Sequence, residues 1–189
     1  MDPMAKFPLN GSYAIIYADP PWDLDRGGSS ESPSASHSGA ASHYATMTTN
    51  EIAALPVERI AATDAVLLLW ATSGLLPEAL SVMGSWSFDY KQSMIWHKAG
   101  GIGLGRIVRV DHEYLLIGYR GSPCGVPSAA RPRSVIMSAK GRHSAKPDGV
   151  PGMIDSMWPQ GPRIELFART IRPGWDHWGN ESAMAQALL

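Results

Sequence analysis

The sequence predicts an α/β fold: a mainly parallel sheet with helices on both of its faces. Two observations support this prediction. Several short runs, among them residues 13–18 (YAIIYA) and 65–70 (AVLLLW), are apolar throughout, as is typical of strands buried on both faces. Segments with helix-start signals separate these runs, so strands and helices alternate along the chain. At 189 residues the chain is long enough to bury one core, and we expect a single domain over residues 1–189.

Local signals place each element in order. Residues 13–18 form the first strand, and Thr48 and Glu51 form a T-x-x-E capping box that predicts a helix from there to about residue 62. The later elements are predicted as a strand at 65–70, a helix at 73–84 with Pro77 in its first turn, strands at 88–97, 113–121 and 134–139, a helix beginning near Pro147, a strand at 163–168 and a short edge element at 175–180. Trp70 and Trp96 are assigned to the core because they lie in apolar strands.

The composition restricts the class of protein. Hydrophobic residues make up 44% of the chain and charged residues 17%, which fits a folded protein and excludes a disordered or collagen-like one. No apolar run approaches the roughly 18 residues that a membrane helix needs, and the start lacks the apolar core of a signal peptide. We therefore expect a cytoplasmic protein without a membrane contact. The six histidines show no metal-ligand spacing, which predicts no metal site, and the single Cys124 is interpreted as an ordinary thiol.

Charge is distributed unevenly although the net charge is only −1. Residues 1–90 contain three basic and ten acidic side chains, whereas residues 91–146 contain ten basic and two acidic ones. The middle of the chain thus carries a charge of +8 among glycines, prolines and serines. Such a block suits loops that follow a phosphate backbone, and it also suits a solvated basic surface; charge alone leaves both readings open.

A Ser/Gly/Ala-rich stretch over residues 25–43 follows the first strand. Its side chains are too small and too polar to pack as core, so we interpret it as a long mobile loop. Loops of this length within a domain are usually functional or disordered.

Four residues between the first strand and this loop, Asp19, Pro20, Pro21 and Trp22, form the string DPPW. In open α/β sheets, ligands bind beyond the carboxyl ends of the strands. The string follows such an end, and Arg169 follows the strand predicted at 163–168. We therefore expect both to face one crevice.

The side chains of DPPW suit a planar ring that carries an amine. Asp19 and the restricted carbonyl of Pro20 are two acceptors that can hold an NH2 group, and Trp22 offers a stacking face. A planar ring with an exocyclic amine is a nucleobase. Two hydrogen bonds from the adenine amine would favour its pyramidal form and direct its lone pair at an electrophile. A base within a duplex would have to flip to reach this site.

The chain resembles the MT-A70 family of S-adenosylmethionine-dependent adenine-N6 methyltransferases. The similarity extends in order through YADPPW, GAASHYATMTTNEIAALPV, AVLLLWAT, IWHK, HEYLLIGYRG, HSAKPDGVPGMIDSMWPQGPRIELFART and WDHWGNE. It implies a Rossmann-like methyltransferase fold with a permuted motif order, in which DPPW comes early and much of the cofactor pocket comes late. It also implies S-adenosylmethionine as the cofactor and nucleic acid as the partner.

The resemblance assigns roles by position. Asp19, Pro20, Pro21 and Trp22 correspond to the catalytic motif, and Asp19 also lies near the cofactor's amino group. The remaining cofactor-binding residues that it implies are Lys146 at the carboxylate and Glu165, Phe167, Arg169, Asn180 and Glu181 around the ribose and adenine. The substrate side that it implies comprises Tyr44, Arg106, Arg109 and Glu113. Many relatives have glutamine where this chain has Glu181, which can accept a hydrogen bond from the adenine amine but cannot donate one.

These observations predict a compact adenine-N6 methyltransferase of bacterial or phage type that acts on DNA rather than RNA. Three alternatives stay open: an RNA adenine-N6 methyltransferase, a free-nucleotide methylase, and a noncatalytic nucleic-acid-binding subunit of a methyltransferase complex. A homodimer or a partner subunit is also left open. The intact Asp19, Trp22 and Lys146 argue against the noncatalytic reading.

Overall fold

A computed structural model describes residues 7–23, 46–100, 107–139, 141 and 145–179. Its strands are β1 (Tyr13–Ala18), β2 (Ala61–Thr72), β3 (Asp89–Ala99), β4 (His112–Arg120), β5 (Val135–Ala139), β6 (Arg163–Leu166) and β7 (Asp176–Trp178). Its α-helices are α1 (Thr49–Ala53), α2 (Val57–Ile60), α3 (Leu76–Ser85) and α4 (Gly149–Met157), with 3₁₀ turns at Ser73–Leu75 and Ser128–Ala130. The described strands form one sheet in the order β5-β3-β4-β2-β1-β6-β7.

Six of these strands run in one direction. The pairs β1–β2, β1–β6, β6–β7 and β3–β5 are parallel, whereas β4 is antiparallel to both of its neighbours, β2 and β3. The mainly parallel sheet predicted from the sequence is confirmed. One consequence matters for the site: the amino end of β4 lies at the same edge as the carboxyl ends of the other six strands, and we call this edge the carboxyl edge.

Helices pack on both faces of the sheet. Successive strand residues point to opposite sides, so each buried strand contributes side chains to both faces. On one face, every second strand residue packs against α1, α2 and α3. These residues include Ile16 and Ala18 of β1 and Leu67 and Leu69 of β2. The other face packs on α4, and its residues include Ile15 and Tyr17 of β1 and Val66 and Leu68 of β2. The predicted α/β class with helices on both faces is confirmed, and the architecture is consistent with a Rossmann-like methyltransferase fold.

The helix predicted to continue to residue 62 is wrong in its extent. Its start is confirmed, because the Thr48 backbone N–H donates to Glu51 Oε2 at 2.7 Å and the Glu51 N–H donates to Thr48 Oγ1 at 3.2 Å. However, α1 ends at Ala53, α2 covers only Val57–Ile60, and β2 begins at once with Ala61. Pro56 causes the break, because proline lacks an N–H and disfavours helical backbone in the residue before it.

The other predicted elements are confirmed, most of them within one to three residues. The strand predicted at 65–70 is longer, since β2 covers Ala61–Thr72. Pro77 lies in the first turn of α3, as expected. The predicted loop over residues 25–43 falls outside the described residues. Within the described ranges, every helix is too short or too polar to cross a membrane.

Candidate functional site

The DPPW turn leaves β1 at the carboxyl edge, and its backbone is fixed from two sides. The Trp22 N–H donates to the Pro20 carbonyl at 2.9 Å, which closes a tight turn. Met47, just before α1, donates its N–H to the Pro21 carbonyl at 2.8 Å and accepts from the Asp23 N–H at 3.0 Å. Because two of the four residues are prolines, few other backbone conformations are open to this turn.

Trp22 anchors the turn in the core. Its side chain is 8% exposed and packs in the cluster formed with α1, α2 and α3. Its indole Nε1 donates to the backbone carbonyl of Trp70 on β2 at 2.9 Å. The position of Asp19 is therefore coupled to the sheet through a buried hydrogen bond. Stacking of Trp22 on a base stays a prediction.

Four charged side chains meet beside the turn and alternate in sign. Lys146 Nζ lies 2.6 Å from Asp19 Oδ1 and 3.4 Å from Glu113 Oε2, and Lys98 Nζ lies 2.5 Å from Glu113 Oε1. We call Lys98, Glu113, Lys146 and Asp19 the ionic cluster. Their side chains are only 10% to 19% exposed, so solvent screens these charges less than it screens surface pairs.

The topology of the sheet explains why these residues meet. Asp19 follows β1, Lys98 is near the end of β3, and Lys146 is separated from the start of α4 by two residues. Glu113 is the second residue of β4, and it reaches the carboxyl edge because β4 runs against its neighbours. Asp19 and Lys146 are 127 positions apart in the sequence. Their contact is therefore a product of the fold and not of local sequence.

Two buried tryptophans lie beneath the ionic cluster. Trp70 and Trp96 are each 1% exposed, which confirms their assignment to the core, and their rings meet edge to face at 6.1 Å. Lys146 Nζ is 5.5 Å from the Trp70 ring centroid and Lys98 Nζ is 5.3 Å from that of Trp96. Such aromatic faces attract cations. Trp70 Nε1 donates to the Tyr17 hydroxyl at 2.7 Å, so the indole N–H beneath the cluster also has a partner.

Glu165 is a second buried carboxylate at this edge. It lies on β6 opposite Tyr17 of β1, is 9% exposed, and accepts a hydrogen bond from Arg172 Nε at 2.9 Å. Burial raises the pKa of Glu165 above its ordinary value of 4.5, while the hydrogen bond and charge of Arg172 act in the opposite direction without cancelling the effect. Buried carboxylates with a raised pKa are common in binding sites.

This raised pKa predicts how stability depends on pH. As the pH rises from 4.5 through the raised pKa, the unfolded chain loses the Glu165 proton before the folded chain does. The contribution of Glu165 to the free energy of unfolding is therefore fully present below pH 4.5 and is lost as the pH rises. We expect Glu165→Gln to gain stability relative to the original protein as the pH rises above 4.5, measured by urea unfolding at a series of pH values. A difference that stays constant with pH would contradict the raised pKa.

The backbone after β6 is strained where the cofactor-binding residues are predicted. Phe167 has φ = 62°, in the left-handed region that non-glycine residues rarely adopt, and its ring packs on Trp178 at a centroid distance of 5.2 Å. The next residue, Ala168, donates its N–H to the Trp178 carbonyl at 2.9 Å. Residues held in this way cost about 1–3 kcal/mol and concentrate at functional sites. Arg169 follows and is exposed at the same edge.

The remaining predicted residues are Arg109, which was predicted for the substrate side, and four that lie outside the described chain. Arg109 is exposed in the segment that enters β4, next to Ile107 and Val108, which are 97% and 67% exposed. Tyr44, Arg106, Asn180 and Glu181 fall outside the described residues. In the described ranges, no group of three or more His, Cys, Asp or Glu side chains could hold a metal ion.

Sequence reasoning missed two members of this site, Lys98 and Arg172. Lys98 belongs to the block IWHK, but nothing in those letters identifies Glu113 as its partner. Arg172 lies seven residues after Glu165, and the chain must turn back after β6 to bring the two together. The structure unites Asp19, Lys146 and Glu113, which the sequence had assigned separately to the cofactor and substrate sides.

Known proteins are similar to this chain over most of its length. The MT-A70 family model matches residues 13–181. The chain is 32% identical over 183 residues to the Type II methyltransferase M.MunI from Mycoplasma sp, an alignment that covers 89% of this chain and 77% of that protein. It is 30% identical over 182 residues to the human N(6)-adenosine-methyltransferase catalytic subunit METTL3, covering 90% of this chain but 28% of METTL3. An MT-A70-like N(6)-adenosine-methyltransferase from Arabidopsis thaliana is 28% identical, with 24% of its length covered.

Proposed function

This chain belongs to the MT-A70 family of methyltransferases, and from that premise we propose that it transfers a methyl group from S-adenosylmethionine to the N6 amine of adenine in DNA. One observation carries the proposal. At the carboxyl edge, the carboxylate of the DPPW motif lies 2.6 Å from the ammonium of Lys146, among buried charges of both signs. This arrangement provides matching groups for a zwitterionic ligand directly beside a rigid pair of acceptors.

The residues present fit S-adenosylmethionine. Its methionine part carries a carboxylate and an ammonium, which need a cation and an anion a few ångströms apart, and Lys146 and Asp19 provide them. Its ribose hydroxyls need acceptors, and Glu165 is a buried carboxylate at the same edge. In this proposal Phe167, Arg169, Asn180 and Glu181 surround the ribose and adenine. When bound, S-adenosylmethionine supplies a methyl group on a positively charged sulfur.

The DPPW turn holds the amine that receives the methyl group. Lys146 donates a hydrogen bond to Asp19 Oδ1, and Asp19 Oδ2 can then accept one N–H of the adenine amine. The Pro20 carbonyl already accepts the Trp22 N–H, and its second lone pair accepts the other amine N–H. These two acceptors orient the nitrogen lone pair and stabilise the positive charge that develops on the amine. The alkylated amine is strongly acidic, so after the transfer it would release its proton to solvent.

We favour DNA as the polymer by analogy with compact bacterial or phage members of the family. This chain covers 77% of the Type II methyltransferase from Mycoplasma but about a quarter of the METTL3-type relatives. The basic segment over residues 91–146 contains β4, and its Arg109 lies just before the amino end of that strand, at the carboxyl edge. Arg109 is therefore placed to contact the phosphate backbone beside the target base. Tyr44, Arg106 and Glu113 complete the proposed substrate side.

A transfer assay tests the polymer. The chain is incubated with methyl-labelled S-adenosylmethionine and, separately, with duplex DNA, single-stranded DNA and RNA of matched sequence. We expect label on DNA and none on RNA. Label on RNA alone would show an RNA methyltransferase. No label on any polymer, with cofactor binding intact, would favour the noncatalytic subunit or a requirement for a partner chain.

Removing Arg109 tests the nucleic-acid side. We expect Arg109→Ala to weaken DNA binding and to reduce the slope of log affinity against log salt by about 1, because one phosphate contact is lost. Affinity for S-adenosylhomocysteine should not change. Arg59→Ala is the matched control, because Arg59 is exposed on α2 at the opposite edge, just before β2 begins. If Arg109→Ala instead lost affinity for S-adenosylhomocysteine, Arg109 would belong to the cofactor side of the site and not to the nucleic-acid side.

A further inference from the structure

Lys98 has no role in the function proposed above, yet it is closely integrated in the ionic cluster. Its Nζ lies 2.5 Å from Glu113 Oε1 and 5.3 Å from the Trp96 ring centroid, and its side chain is 18% exposed. Glu113 is thus shared between two lysines, at 2.5 Å from Lys98 and 3.4 Å from Lys146. The shorter contact is the one to Lys98.

The charges of the cluster show what Lys98 contributes. Asp19 and Glu113 carry two negative charges, and Lys146 alone would balance one of them. Lys98 makes the group neutral. Without Lys98, the Glu113 carboxylate would be left in a site where it is 8% exposed, with Lys146 as its remaining cationic partner in the described chain. A buried carboxylate that loses a partner pairs more strongly with the cation that remains. Glu113 would therefore compete with any incoming carboxylate at Lys146.

We propose that Lys98 is a positioning residue, which holds Glu113 so that Lys146 stays available to the carboxylate of the cofactor's methionine part. This inference rests on the proposed function, because it requires that Lys146 binds that carboxylate. Lys98 acts through Glu113 and touches neither the cofactor nor the base. The inference explains why the cluster contains two lysines although the ligand offers one carboxylate.

Calorimetric titration of the full chain with S-adenosylhomocysteine tests the proposal, because this ligand keeps the amino-acid part and undergoes no reaction. We expect Lys98→Met, which keeps the stem over Trp96, to raise Kd about tenfold. Lys98→Arg should restore most of the affinity. In the double variant Lys98→Met/Glu113→Gln, where the competing charge is gone, the affinity should return to that of Glu113→Gln alone. Lys91→Met is the control, since Lys91 is a half-exposed lysine on the same strand.

A second ligand separates positioning from folding. 5′-Methylthioadenosine lacks the amino-acid part, so its affinity for Lys98→Met should match that for the original protein. Equal weakening of both ligands, or a double variant as weak as Lys98→Met, would show that Lys98 acts by packing and overturn the inference. Unchanged S-adenosylhomocysteine affinity in Lys98→Met would also overturn it. If the original protein binds 5′-methylthioadenosine but not S-adenosylhomocysteine, or neither, then the proposed function fails and this inference fails with it.

Discussion

Asp19→Asn is expected to reduce the rate of methyl transfer about a hundredfold to a thousandfold, the size seen when one preorganised electrostatic contact to a reacting centre is removed. The asparagine side chain has nearly the same shape as that of Asp19, and its oxygen can still accept a hydrogen bond. It lacks the negative charge that opposes the positive charge developing on the amine, and it weakens the contact with Lys146 at 2.6 Å. The rate is measured in single-turnover experiments with saturating cofactor and DNA.

The control for this variant is Asp89→Asn, which removes the same charge from a carboxylate that is 86% exposed at the start of β3. We expect its transfer rate to equal that of the original protein. If Asp19→Asn retained the original rate under saturating conditions, Asp19 would not act on the amine. The DPPW turn would then have only a structural role in this chain.

Lys146→Met should have the second large effect, a loss of about a hundredfold in affinity for S-adenosylhomocysteine. Two physical causes combine. The charge-assisted contact to the ligand carboxylate is lost, and Asp19 and Glu113 are left with less compensation next to that carboxylate. Affinity for 5′-methylthioadenosine should change much less. Calorimetric titration of both ligands provides the comparison.

Combining each lysine variant with Glu113→Gln distinguishes the roles of Lys98 and Lys146. Lys146 contacts the ligand in our proposal, so Glu113→Gln should not rescue Lys146→Met, whereas it should rescue Lys98→Met. Rescue of Lys146→Met by Glu113→Gln would contradict direct contact, because it would mean that Lys146 serves only to neutralise Glu113.

The fold could be predicted from the sequence where strands are buried on both faces, because such strands are continuously apolar and stand out from their surroundings. Residues 13–18 and 65–70 were recognised in this way. The alternation of strands and helices predicts a mainly parallel sheet, but an apolar run by itself does not show which strand is reversed. The reversal of β4 is nevertheless what brings Glu113 to the carboxyl edge. The predicted helix was too long because a capping box such as that at Thr48 marks only where a helix begins, whereas Pro56 interrupts it.

The candidate site was predictable where its chemistry is encoded in consecutive letters. Asp19 was predicted from the chemistry of DPPW, whereas Lys146 was implied only by the family resemblance, and the structure places the two 2.6 Å apart. Lys98 and Arg172 could not be predicted, because their roles come from the side chains they meet across strands and turns. A lysine or arginine is usually solvated. Only the tertiary contacts with Glu113 and Glu165 separate these two from the exposed basic residues around them.

The central claim is that the ionic cluster and the DPPW turn direct methyl transfer to the N6 amine of adenine. Digestion of methyl-labelled DNA to nucleosides, followed by chromatography, tests this claim most directly when the original protein is compared with Asp19→Asn. Our account predicts that the label from the original protein elutes with N6-methyl-2′-deoxyadenosine and that this peak is nearly absent from the variant. Label on a different nucleoside, or an equal N6-methyl peak from Asp19→Asn, would contradict it.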